Sequence, residues 1–425
     1  MNSTSFLETV RELSDRLVRL QKPIRVLDAV NWGPEIRAGF FNDNERRKPP
    51  VTPDYYAGRP LRYSPDELKA GFLSLERDIT RRVGQLHPIG TLMRRMCREY
   101  RIVMDMLEAR GQPEFPGLAA ELYGLPGDVF HAGEPSLAEL GMMLEETLGQ
   151  MAGHALFPDE PHDLDAPAAV AHLSGRLRVS MPGIPVTVEV SDGIVSDAAA
   201  GSDRIKLNAE ARFSMRVLEI LEVHEGWIHL GTTWNGQNQP WLGFLAKGTP
   251  AAVVTQEGLA VLTEILTLKS TPERLSRLVG RIRALTLAGD GATFLDVYNY
   301  FRDRGVGRDE AYTVAARAFR GSLPEAGPFT KDLSYIKGFV LIYNFIRVAV
   351  QLGRLDRLPI LMAGKINLDD FKLYADLYDQ ELIVPPAFLP PHFADFRGLA
   401  SWLSFSRFMY NLSFETLEQE YRHLF

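Results

Sequence analysis

Cysteine is almost missing from this sequence: Cys97 is the only one among 425 residues. One thiol cannot close an internal disulfide, and zinc fingers, ribbons and cysteine-held clusters are excluded. Histidine is scarce too, at nine, so a metal site must combine a few His with Asp or Glu. Positive charge is not in excess, since 47 Lys and Arg face 54 Asp and Glu for a formal charge of -7. That balance argues against a nucleic-acid partner, whose phosphates must be neutralised. The first residues lack a basic region followed by an apolar stretch, so no secretory signal is expected. The most apolar stretch, Gly338 to Leu352, is broken by Asn344 and Arg347. It falls short of the roughly 20 residues that span a bilayer. A buried core helix, no membrane partner and a cytoplasmic, reducing location are the expectations. Neither a serine nucleophile elbow nor a phosphate-binding loop occurs.

What is present reads as a mostly helical α+β protein with one small sheet. A content of 45% hydrophobic and 24% charged residues suits a globular chain long enough for two domains. A helical region over 1–165 and a second domain over 166–425 are expected, with the Pro- and Asp-rich stretch Phe157 to Pro167 as linker. Helical periodicity runs over 4–20, and Ser64-Pro65-Asp66-Glu67 marks a helix start at Pro65. Arg46 to Pro60 reads as a loop. Further helices are expected near 65–83, 90–110 and 135–153. The β region is Val186 to Val190, a turn at Ser191 to Gly193, and Arg204 to Leu207. Helices then follow near 210–230, 256–269, 272–288, 291–303, 308–319, 331–352, 367–378 and 412–423, and Pro385 to Pro391 is an extended loop.

The strongest chemical signal is Leu221-Glu-Val-His224-Glu225-Gly226-Trp227-Ile228-His229. The familiar zinc-protease spacing puts two His four apart on one helix face. Here they are five apart, and five steps of about 100° leave the second ring roughly 140° out of line. One extra residue in the turn corrects this, and such π-bulges cluster at functional sites. Gly226 loosens that turn, so a local π-turn is predicted at Glu225 to His229. A catalytic zinc needs a third protein ligand and an open position. The next helix offers Glu257, expected in its first turn after an N-cap at Thr255, and Glu264 seven residues on. Glu257 is the preferred ligand, and Glu264 reads equally as an exposed helix charge. Glu225 has the position of a general base beside the metal. The other His (His87, His131, His154, His162, His172, His392 and His423) have no partner at ligand spacing. Trp234 to Trp241 reads as a loop, either a wall or lid of the site or a surface loop with a packed Trp.

The segment His224 to His229, followed by Val254-Thr-Gln256-Glu257-Gly258-Leu259-Ala260, is similar to the QEGLA-motif proteins. These are related to the microtubule-associated tyrosine carboxypeptidases, zinc metallopeptidases with a His-Glu-x-x-x-His motif. Asp203 to Leu207, Arg320 to Pro324 and Phe329 to Gly338 carry the resemblance further along the chain. It implies a zincin-like catalytic domain over 166–425, with the small sheet beside the active-site helix. It also implies zinc (Zn2+) held by His224, His229 and Glu257, with Glu225 as base. The implied substrate is a peptide or protein C-terminus; the tubulin tail itself is not transferred, because the resemblance covers the catalytic core. Bacterial members are also labelled modulators of flavohaemoglobin expression, so a non-catalytic zinc-binding regulatory protein is the alternative.

A carboxypeptidase must hold a terminal carboxylate and stabilise an oxyanion. Lys331 and Tyr335, four apart on one expected helix, are candidates for those roles. Arg320 and Lys206 are further cationic candidates for substrate binding. The strand Arg204 to Leu207 directly precedes the histidine helix and is expected to be an edge strand that lines up peptide.

Overall fold

The computed structural model describes residues 4–130, 133–151, 160–192, 194, 196–201, 203–409 and 411–424. His131, His154, Gly193 and the first three residues of the expected linker, 157–159, lie outside them. The protein is mostly helical with one three-stranded sheet.

Capping chemistry places many of the helices. The first helix is Thr4–Gln21. Ser64 Oγ accepts from the Glu67 N–H, and a helix runs over Pro65–Arg82. Thr271 caps Pro272–Gly289, and Thr293 with Asp296 forms a full capping box on Phe294–Asp303. The helices Pro88–Glu108, Leu137–Met151, Arg308–Phe319 and Phe414–Tyr421 fall near their expected places. Some expectations need correction. The loop Arg46 to Pro60 contains a short helix, Pro53–Ala57, capped by Thr52. A 15-residue helix, Ala166–Ser180, follows the linker, capped by Asp165. Arg397–Met409 is also helical.

The sheet has strands β1 (Thr187–Ser191), β2 (Ala198–Ala200) and β3 (Arg204–Asn208). Their order is β1-β3-β2, with β1 parallel and β2 antiparallel to β3. Ile205 and Leu207 alternate inward and are fully buried, while Arg204 and Lys206 are only partly covered. The strand Arg204 to Leu207 is therefore central and not the expected edge strand, and β1 and β2 are the edges. Three alanines carry no β-branched or aromatic signal, which hid that strand from a pattern reading.

The two expected regions share one apolar core. Val10, Leu13, Phe72, Leu75 and Met93 from the first 165 residues pack in a single cluster with Ile228, Leu259, Leu262, Ile342 and Phe393. A second cluster gathers Leu278, Ile282, Phe294, Tyr298 and Phe319, and a third joins Leu173 and Leu177 to Ile205, Leu207, Val223 and Trp227. The stretch Thr330–Gln351 is long and apolar enough, by length and composition, to cross a membrane. It includes the buried, salt-bridged Asp332 and packs against the helix Pro250–Leu266.

That crossing depends on two glycines. A Cβ on Gly258 would come within 2.2 Å of the Gly338 carbonyl carbon, and one on Gly338 within 2.0 Å of the Val254 oxygen. Only hydrogen fits at either position, so the two backbones touch. This contact sets Glu257 beside the segment that carries Lys331 and Tyr335.

Candidate metal centre

Ser214 caps the histidine helix by accepting from the Val217 N–H, and the chain is α-helical over Met215–Leu221. It then changes to a π-helix over Glu222–Leu230 and returns to α-helix over Gly231–Gln237. A π-helix closes i→i+5 hydrogen bonds, so residues five apart share a face. The predicted π-turn is present and longer than expected, nine residues in all. Gly226 lies against Leu177, where a Cβ would come within 2.4 Å of Cδ2. The two rings thereby meet, with centroids 4.9 Å apart and planes at 82°.

Glu257 completes the group, though not from a first turn. Its helix begins two turns earlier, at Pro250 behind Thr249. Thr255 is a buried mid-helix residue whose hydroxyl accepts from the Leu368 N–H. The Thr249-Pro250 pair was the true start signal.

Glu257 Oε2 lies 3.4 Å from His224 Nε2 and 3.5 Å from His229 Nε2. One ligand atom from each of the three residues falls within 4.8 Å of the others. Bonds of 2.0–2.1 Å to a tetrahedral metal place ligand atoms about 3.3 Å apart. Glu257 Oε2 is also buried without a hydrogen-bond partner. A buried carboxylate oxygen with no donor is costly, and a cation between it and the two imidazoles removes that cost. The donor set, two nitrogens and one oxygen, suits a borderline divalent ion.

Glu264 is no exposed charge. Its side chain is fully buried, Oε1 is 2.6 Å from His224 Nδ1, and Arg274 donates to both oxygens at 2.9 and 3.1 Å. Burial alone would raise its pKa, but Arg274 and His224 outweigh burial and bring it to about 2. An ionised Glu264 holds a proton on Nδ1, so that Nε2 is the nitrogen turned toward Glu257 and His229. Burial also opposes a charged Glu257, yet the two imidazoles and Lys331 hold its carboxyl well below the usual range.

Glu225 is half-buried beside His224, and its Oε2 accepts from the Ala200 N–H at 2.9 Å. Edge strand β2 thus holds it against the site. Lys331 and Tyr335 sit on two consecutive segments, a 3-10 turn over Thr330–Leu333 and a helix over Ser334–Gln351. Lys331 Nζ is 3.7 Å from Glu257 Oε1. The Tyr335 ring stacks toward His224 at 6.4 Å. Both are at the site, with Lys331 committed to a carboxylate. Arg320 is buried and donates to Asp332 Oδ1 at 3.0 Å and to Asn31 Oδ1 at 3.3 Å. Lys206, on β3, lies 4.0 Å from Glu189.

Pattern reading missed several residues. Lys365 Nζ donates to the His229 carbonyl and to Gln256 Oε1, each at 3.2 Å, and burial brings its pKa to about 8. Gln256 Oε1 also accepts from Thr232 Oγ1 at 2.7 Å. Lys365 therefore braces the end of the π-helix from a distant loop. Arg274, Arg281 and Arg317 form a cationic wall behind Tyr335. The Trp234 to Trp241 segment is partly helical and acts as a clamp. Buried Asn235 bonds the Met362 and Phe388 backbones, and Gln239 bonds those of Ala363 and Val384. His392 is half-buried, with its pKa lowered to about 4 by desolvation, and it meets Thr263 and Trp227.

No curated protein matches the chain. A solved structure titled "BsuCP Crystal Structure" aligns over 95% of this chain and 98% of its own, at 12% identity and a TM-score of 0.34. That similarity is too distant to carry an argument. The family model described as microtubule-associated tyrosine carboxypeptidase matches residues 38–411 and so takes in every residue of the candidate metal centre. The chain belongs to the microtubule-associated tyrosine carboxypeptidase family.

Proposed function

We propose that the protein is a zinc-dependent carboxypeptidase with a zincin-like catalytic centre, acting on peptide or protein C-termini. The observation that carries this reading is the unpartnered Glu257 Oε2 between two imidazole nitrogens, with a second carboxylate, Glu225, one residue from the first ligand. His224, His229 and Glu257 hold the metal. When bound, zinc supplies Lewis-acid polarisation of the substrate carbonyl and lowers the pKa of water at the open position.

The chain's own groups supply the rest. Glu225 takes the proton of the attacking water and passes it to the leaving amine. The Ala200 N–H keeps its carboxylate oriented. Glu264 holds His224 in the tautomer that binds, and Lys365 ties down the π-helix end at the His229 carbonyl. Tyr335, whose ring stacks toward His224, offers its hydroxyl to the developing oxyanion.

The test is a C-terminal peptide library digested by wild type and by Glu225→Gln and read by mass spectrometry, with the metal content of both proteins measured. Wild type is expected to hold one zinc per chain and remove C-terminal residues. Glu225→Gln is expected to keep the zinc and lose about 10²–10⁴-fold in rate. Full activity in Glu225→Gln would sink the mechanism. A zinc-bound wild type that cleaves nothing would favour the regulatory alternative.

A further inference from the structure

Around the metal group the protein buries more cations than it neutralises. Arg274 is paired with Glu264, and Arg317 and Arg320 share Asp332. Lys331 leans on Glu257 Oε1. Arg281 has no carboxylate partner among the described residues. Its Cζ lies 4.6 Å from the centre of the Tyr335 ring, and its Nη1 is buried without a hydrogen-bond partner. Burial, with Arg317 and Arg274 nearby, brings its pKa down to about 10. A guanidinium has five donors that fit a carboxylate fork. Leaving one unsatisfied inside a protein is expensive unless a ligand completes it.

We propose that Arg281 binds the free terminal carboxylate of the peptide substrate, with the Tyr335 ring as the surface on which the guanidinium rests. This rests on the carboxypeptidase reading and adds the residue that makes the site an exopeptidase. Geometry supports it. The terminal carboxylate lies only one residue, about 3.8 Å of Cα path, beyond the scissile bond. The Tyr335 ring has His224 as one neighbour, at 6.4 Å between centroids, and Arg281 as another, with Cζ 4.6 Å from its centre. The earlier candidates are each engaged elsewhere: Lys331 with Glu257, Arg320 with Asp332, Lys206 with Glu189. Nature's other cations on the wall are locked in ion pairs, so an incoming carboxylate would have to displace a partner from them.

The experiment compares pairs of peptides that differ only in ending as a free acid or an amide. Binding is measured by calorimetry on zinc-loaded Glu225→Gln protein, with and without Arg281→Ala or Arg281→Lys. Hydrolysis is measured on wild type and on the same Arg281 variants. Zinc content and thermal melting check that each variant is folded, and Arg281→Lys serves if Arg281→Ala is not. The parent is expected to prefer the acid. Arg281→Ala should weaken acid binding about 10- to 100-fold and leave amide binding unchanged. In hydrolysis KM should rise more than kcat falls, with Arg281→Lys intermediate. Acid preference that survives in a folded Arg281 variant overturns the assignment and leaves the carboxypeptidase reading intact. Equal hydrolysis of acids and amides by wild type overturns the carboxypeptidase reading itself.

Discussion

Glu257 and Glu264 stand two turns apart on one helix, both buried, yet their surroundings are opposite. Around Glu264 the carboxylate oxygens are answered by Arg274 and His224 Nδ1, and those of Asp332 by Arg317 and Arg320, although Arg320 Nε is left without a partner. Around Glu257 the groups are left open, with Oε2 unpartnered and Arg281 Nη1 unpartnered beyond Tyr335. Buried polar groups are rarely left unmade without a reason. The closed half is scaffold, and the open half is where ligands complete the structure. Charge and burial alone do not separate the two; hydrogen-bond satisfaction does.

Removing the open carboxylate should have the largest effect. Glu257→Gln takes away an anionic ligand and is expected to lose stoichiometric zinc and all measurable hydrolysis, by metal analysis and peptide assay. It should not unfold the protein, since Oε2 makes no hydrogen bond that the substitution would break. If zinc and activity persist, the two halves have been assigned the wrong way round.

The closed half should respond in stability instead. Asp332→Asn leaves two buried guanidinia short of a counter-charge, a loss of about 3–5 kcal/mol in denaturant melts. The sign with pH follows from Asp332. Burial would raise its pKa, but Arg317 and Arg320 hold it well below the usual carboxylate range. Its contribution is therefore complete above the unfolded value of about 3.9 and is lost as pH falls toward the lower folded value. Wild type should lose stability below about pH 4, and Asp332→Asn should show a shallower slope there. Equal slopes would mean that Asp332 is not held ionised.

Glu264→Gln tests the link between the halves. It is expected to weaken zinc affinity about 10- to 100-fold, because the amide no longer fixes the His224 tautomer as firmly. Competition with a metal-binding dye measures this. An unchanged affinity would make Glu264 a stability residue only.

The sequence reveals these two halves unequally. The helices that start at Pro65, Pro272 and Phe294 fall within a few residues of expectation, because the cap and the first turn are written in adjacent positions. The same kind of signal at Thr52-Pro53 and Thr249-Pro250 is missed by the pattern reading. The π-helix was legible too, since His224 and His229 five apart need it in order to converge. Other features depend on contacts across the chain. Glu264 looks like any charged helix residue until Arg274 and His224 close over it. Lys365 reaches the His229 carbonyl over 136 positions, and Arg281 is distinctive only because its neighbours are paired. The alanine strand β2 carries no pattern at all, and neither does the choice of β3 as the central strand, which depends on pairing partners.

The smallest predicted effect concerns what holds the halves in register. Gly258 follows Glu257 directly and touches Gly338 backbone to backbone, whereas Glu264 lies nearly two turns farther along the same helix. Gly258→Ala must push the crossing apart, and overpacking of this kind costs about 1–3 kcal/mol. The displacement should be felt at Glu257 first, moving it relative to Lys331, while the Glu264–Arg274 pair on the far side stays in place. Hydrolysis should therefore fall by more than the stability loss explains, when assayed well below the melting temperature. Gly289→Ala is the control, because its added methyl would meet nothing within 4 Å. It should leave activity unchanged and stability neutral or slightly raised. If Gly258→Ala behaves like that control, the glycine crossing does not position the centre, and the register must be set by the Lys331–Glu257 ion pair instead.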